Sequence, residues 1–311
     1  MFLKTLGAAL LFVNLLLESA SATSINDLLF AGQMNQLSDN SAEWLINKNN
    51  TLSNQGDSII GRGDRIRGIF SIETVEDLTG SGGKNILGVA GNNELTGLFD
   101  VTVVDILNEV GIGPKTILFA PTIGFAAELA GYANVPFTAA ELTGMAIALF
   151  DDSTPDFTRL ASGGTRASQL AAIEATAKDG LFLGGLGFKG DPDEIFFGVV
   201  SSLNIATLKN TAAGTNAGTL NFQLSFIQEL LDLDFKQVNA GFPGVGGDGL
   251  IDVNGSGNFL GTRGIGTPAD IFDNFDAVVR VSSVPEPETY ELLGIGLLGM
   301  KLMARKKSLR S

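Results

Sequence analysis

The chain contains no cysteine and no histidine, and only one tryptophan, two tyrosines and nine prolines among 311 residues. Without cysteine it has neither a disulfide nor a thiolate zinc site. Without histidine it lacks the usual general base and the commonest metal ligand, so Ser-His-Asp and Cys-His mechanisms are excluded. Chemistry by carboxylate, lysine or tyrosine stays open. Charge is also scarce, at 17% of residues, and unbalanced, with 20 Lys+Arg against 34 Asp+Glu. Several of those bases (Lys4, Lys301, Arg305, Lys306, Lys307 and Arg310) sit at the two ends, which leaves the region between them strongly acidic. A surface of that sign repels phosphate backbones and argues against nucleic-acid binding. The 44% hydrophobic content and 40 glycines describe a turn-rich globular chain rather than a disordered one.

The two ends carry the clearest signals. Lys4 precedes an apolar run from Leu6 to Leu17 that only Asn14 interrupts, and Ala20 and Ala22 flank Ser21 with the small side chains a signal peptidase requires. Residues 1–22 therefore read as a cleavable signal peptide, with the exported chain starting near Thr23. At the other end, Val284, Pro285, Glu286 and Pro287 lead into the apolar run containing Leu292, Leu293, Gly294, Gly296, Leu297 and Leu298, which stops at Arg305, Lys306 and Lys307. That order reads as linker, single transmembrane helix and cytoplasmic stop, oriented by the positive-inside rule. As a helix, Leu292 to Ala304 is roughly 20 Å long at about 1.5 Å per residue, short of a roughly 30 Å hydrocarbon core. Lys301 inside the run has to snorkel, so a temporary anchor fits better than a permanent one.

Those tail residues resemble the PEP-CTERM sorting signal of exported proteins of Gram-negative bacteria, a tail domain also catalogued as an ice-binding protein C-terminal domain. The resemblance covers residues 284–311. It implies processing near the Pro-Glu-Pro triplet by an exosortase-type membrane peptidase, transient membrane anchoring, and delivery to the cell surface or extracellular matrix. Extracellular polysaccharide is an implied partner.

Residues 23–283 form the exported body, and their pattern is mainly that of strands. Asp64 to Glu76 and Glu94 to Ile106 approximate apolar and polar alternation, Gly144 to Phe150 reads as a buried strand, and Leu181–Phe188, Glu194–Leu208, Thr219–Leu231 and Phe275–Val281 carry β-branched or aromatic residues between Gly- and Asn-rich turns. Arg166 to Asp179 reads as a helix stopped by Gly180, a short helix over Ile25–Met34 is capped by Ser24, and Gly111 to Leu142 reads as short helices or loops. The expected fold is an antiparallel β-sandwich with one or two packed helices, most of the 21 phenylalanines lying between its sheets. An α+β arrangement is the alternative.

Oxygen ligands are concentrated in two places. Asp248, Asp252, Asn254 and Ser256 lie in a Gly-rich stretch whose alternate spacing matches the first half of a calcium loop, although Arg263 stands where such a loop has its bidentate glutamate. Asp151, Asp152 and Asp156 put three carboxylates within six residues, which fits either a polar turn or a cation or acid-base site. The favoured function is that of a noncatalytic surface or matrix protein with no obligatory cofactor. A carbohydrate-binding module is the alternative, and a hydrolase using Asp151 with Asp156 or Asp248 with Asp252 a further one.

Overall fold

The computed structural model describes residues 29–281, apart from 31, 53–58, 79, 81, 86–92, 159–162, 232–234, 243, 245 and 262–268. The residues read as signal peptide, sorting motif, transmembrane helix and basic stop lie outside these residues. Among the described residues no helix is long and apolar enough to cross a membrane.

Fourteen strands account for about half of the described residues. In order they are β1 (Met34–Ile46), β2 (Arg65–Asp77), β3 (Gly82–Asn85), β4 (Glu94–Leu107), β5 (Lys115–Pro121), β6 (Met145–Asp152) and β7 (Leu181–Gly187). They continue with β8 (Ile195–Val200), β9 (Asn216–Glu229), β10 (Phe235–Lys236), β11 (Val238–Asn239), β12 (Leu250–Ile251), β13 (Val253–Leu260) and β14 (Ile271–Val281). Among the described residues there are also three helices, α1 (Phe125–Leu129), α2 (Arg166–Ala177) and α3 (Ile205–Lys209). The mainly β expectation holds, with α2 where the sequence places it. Met34 opens a strand instead of closing a helix, Gly111–Leu142 contains β5 as well as α1, and Glu194–Leu208 divides into β8 and α3.

The expected sandwich is instead a closed antiparallel barrel, eight strands around. Six strands run side by side in the order β4-β2-β1-β14-β13-β9. The long strands β4 and β9 then each serve two partners. The first half of β4 pairs with β6 and its second half with β5, while β9 pairs first with β8 and then with β7. Because β6 pairs with β7 and β5 with β8, the gap between β4 and β9 is closed at both ends. A sandwich would leave strand edges at these places, and forking two 14-residue strands satisfies their backbone groups instead.

Phenylalanines fill the barrel. Phe70, Phe275, Phe222, Phe196 and Phe119 form a chain of ring contacts with centroids 5.4–5.6 Å apart, mostly edge to face. Glycines in the middle of strands make the room for them. Gly68 is the cross-strand partner of Phe99 and Gly97 of Phe70, while Gly255 faces Phe222 and Gly257 faces Phe275. A Cβ on Gly68 would lie 1.9 Å from the Phe99 ring, and one on Gly97 would lie 2.2 Å from that of Phe70. Part of the glycine content is thus a packing device of the strands and not a mark of turns.

One outer side of the barrel is also buried. Trp44, Ile69, Leu98, Ala148, Phe150 and Phe182 point outward and are covered by Phe125 and Leu129 of α1 and by Ile173 and Ala177 of α2. Helix α2 starts at a capping box in which Thr165 and Ser168 satisfy each other's backbone N–H. Its end is tied to β4 by Thr96, whose hydroxyl donates to the Ala177 carbonyl at 2.7 Å. Beneath both helices the Arg67 guanidinium, 3% exposed, meets Asp100 at 3.0 Å, Glu128 at 2.6 Å and Glu174 at 2.7 Å. Burial alone would lower the Arg67 pKa, but Glu174, Asp100 and Glu128 override it and hold the group charged.

Candidate functional site

The fold separates the residues that the calcium-loop spacing groups together. Asp248 sits in a turn, where it accepts the Leu250 N–H at 3.0 Å. That turn is pinned by Asp193, which accepts N–H groups from Gly244 and, at 3.0 Å, from Gly249. Asp252 is committed to β9, accepting the Phe226 N–H at 3.1 Å. Asn254 and Ser256 follow on one face of β13. The alternate spacing is therefore the period of a strand, which sets such side chains in file roughly 7 Å apart instead of converging them.

The Asp151–Asp156 stretch behaves differently. Asp151 is buried and, by strand alternation, points away from Asp152, so the pair Asp151 and Asp156 is not assembled. Asp152 and Asp156 are instead joined by Asp179, with one carboxylate oxygen of each within 4.8 Å of the others. The approach depends on Gly180, where a Cβ would fall 2.7 Å from the Asp151 carbonyl and 2.8 Å from the Asp152 nitrogen. Asn134 holds the same turn from the other side, donating to the Lys178 carbonyl at 2.7 Å and to that of Gly180. Glu94 completes the group. It is the cross-strand partner of Asp152, and its Oε2 accepts the Phe157 N–H at 2.9 Å.

The electrostatics of this cluster are unfavourable as it stands. Burial, then Asp152 and Asp156, push the Asp179 carboxyl up, and it shares a hydrogen bond with Asp152. Burial also raises Glu94, against the pull of the Phe157 and Asp156 N–H groups and with added repulsion from Asp152 and Asp156. Among the described residues Asp152, Asp156 and Asp179 are the carboxylates whose oxygens lie close enough together to share a cation. Asp179 and Glu94 carry no local sequence signal, since one reads as the end of a helix and the other as the start of a strand.

A second acidic group lies inside the barrel. Asp39, Ser41 and Glu43 share the inward face of β1 with Leu45, and Asp273 lies opposite Ser41 on β14. The Ser41 hydroxyl contacts both Glu43 and Asp273, and Asp39 accepts the Phe275 N–H at 2.8 Å. All four residues are at most 3% exposed, which denies them to a substrate. Burial and the neighbouring Asp273 push Asp39 well above its ordinary value of 3.8, and Glu43 and Asp276 add to the shift against the Phe275 N–H.

A pH dependence follows. The folded chain keeps a proton on Asp39 that the unfolded chain releases above about pH 4. The contribution of Asp39 to stability is therefore complete below that value and is lost as pH rises through the raised folded pKa. Asp39→Asn retains the acceptor for Phe275 and is neutral without having to bind a proton. Urea unfolding at pH 8 is expected to show the variant about 1–3 kcal/mol more stable than the parent, with the difference vanishing towards pH 4. Equal destabilisation at both pH values would contradict this assignment.

Comparison with protein families matches residues 283–307 to the PEP-CTERM protein-sorting motif. The tail is thus a sorting signal, which implies export, membrane-associated sorting and processing by an exosortase-type system. Comparisons with curated proteins and with solved structures returned no match for the chain.

Proposed function

We propose that the exported body is a noncatalytic component of the cell surface or extracellular matrix, acting through the outside of its barrel. The observation that carries this reading is the filled interior. Ring-packed phenylalanines leave an apolar cavity of about 60 Å3, lined by residues such as Leu37, Ile72, Phe226 and Val279. A small-molecule pocket has roughly 300–1,000 Å3. The carboxylates inside the barrel are closed off from solvent as well, so neither a carried ligand nor a substrate is favoured there.

The outer face of β9, β13, β14 and β1 favours polysaccharide as the partner. Asn221, Ser256, Asp276 and Ser38 form one row across these four strands, and Thr219, Asn258 and Asn274 form the next. One residue of the seven is charged. Ser38 donates to Asp276 at 2.5 Å and Asn216 to Asn258 at 2.7 Å, so the array is a fixed set of amides and hydroxyls. Hydroxyl-rich polymers offer the complementary donors and acceptors.

Two measurements test the reading. Mass spectrometry of the protein from cells with and without the sorting peptidase is expected to show a C-terminus trimmed near Pro285–Pro287 only when the peptidase is present. An intact C-terminus in both would end the processing claim. Retention on the producing cell's extracellular polysaccharide is expected for the parent and is expected to fall with Asn221→Ala combined with Ser256→Ala. Failure of the parent to bind would remove the polysaccharide reading.

A further inference from the structure

We propose that Asp152, Asp156 and Asp179, backed by Glu94, form a binding site for a divalent cation, with Ca2+ as the ion whose coordination it fits. The three aspartates come from the end of β6, the loop after it and the turn after α2, and one oxygen of each lies within 4.8 Å of the other two. Oxygens bound to Ca2+ at about 2.4 Å lie on a sphere roughly 4.8 Å across, so the three oxygens already stand near the spacing that one ion requires. The donors are oxygens alone, and the chain has neither histidine nor cysteine to add to them. That favours a hard cation over zinc or copper.

Glu94 supplies an observation independent of the three aspartates. It is 3% exposed, and its Oε1 has no hydrogen-bond partner among the described residues, although a buried carboxylate oxygen is costly to leave unsatisfied. The cross-strand pairing of Glu94 with Asp152 puts both side chains on the same face of the β4–β6 ladder. Its other oxygen accepts from Phe157, directly after Asp156, which turns the carboxyl towards the cluster. An ion at the aspartates offsets their mutual repulsion and sets a counter-charge near the buried Glu94 carboxyl.

The test is calorimetric titration of CaCl2 into the purified full-length chain after chelation, with thermal unfolding followed in parallel. Binding with a Kd of about 10⁻⁴–10⁻³ M is expected, the range of extracellular calcium modules. Unfolding is expected to shift upward as Ca2+ is added. Asp179→Asn is expected to weaken binding by about tenfold or more, while its unfolding temperature in chelator stays equal to or above that of the parent, because a repulsive charge has gone. Glu94→Gln gives a second variant with the same expected direction. Asp248→Asn is expected to leave the titration unchanged. No heat and no thermal shift at 10 mM CaCl2, or binding lost with Asp248→Asn and kept with Asp179→Asn, would overturn the assignment.

Discussion

Replacing Arg67 with methionine is expected to destabilise the protein by about 3–5 kcal/mol, the cost of removing one partner from a buried ionic cluster. The methionine fills much of the arginine's volume, so packing contributes little of that loss. What remains is a set of uncompensated acids: Asp100, whose side chain is fully buried, and Glu174, which is 16% exposed. Glu128 is 38% exposed and rehydrates, so its share is smaller. Asp100 also keeps Arg65 as a partner, which limits the damage at that carboxylate. Glu128 shows the coupling directly, since burial raises its pKa but Arg67 and the Tyr132 hydroxyl bring it below the ordinary value. The measurement is urea unfolding of the single variant beside a triple variant that adds Glu128→Gln and Glu174→Gln. Recovery of a large part of the loss in the triple variant is expected, and equal losses in both would locate the effect in packing instead of charge.

The second large effect is expected at the glycine and phenylalanine pairs inside the barrel. Gly68→Val puts atoms where the Phe99 ring already lies, the first of them 1.9 Å from Cε1. Overpacking of a filled core costs about 1–3 kcal/mol and more where nothing can give way. Here the ring is hemmed in by Phe196, 6.3 Å away between centroids, so the upper part of that range or beyond is expected. Phe99→Ala is expected to cost about 3–5 kcal/mol through the cavity it leaves. Joining Gly68→Val to Phe99→Ala lets the new side chain enter the vacated space. A double-mutant cycle by thermal unfolding is therefore expected to show the pair losing less than the sum of the single losses. Strict additivity would mean that the two positions do not share one volume.

The same pairs explain where reading the sequence stops short. Gly68, Gly97, Gly255 and Gly257 give no sign in the one-dimensional pattern that each belongs to a phenylalanine on a neighbouring strand, because the partners lie 18 to 33 residues away along the chain. Strand β1 was also illegible. Its inward positions carry Asp39, Ser41 and Glu43, so the alternation that marks β2 and β4 is absent, and Asn- and Ser-rich polarity reads as loop. The acids of the candidate cation site are spread over Glu94, Asp152, Asp156 and Asp179, and only the middle two share a local motif.

Local chemistry settled the rest. Composition alone excluded histidine and cysteine mechanisms. The order of Pro-Glu-Pro, apolar run and basic stop identified the sorting tail, because that motif is written in contiguous residues. Strands with clean period-two patterns and the helix ending at Gly180 were legible for the same reason, as their determinants lie within a few residues of one another. Closure of the barrel was not. It depends on β4 and β9 each dividing between two partners, a choice made by pairing energies across the whole chain. Tertiary structure alone likewise decided that Asp179 meets Asp152, since a carboxylate cluster is defined by distances in space and a linear sequence records only separations along the chain.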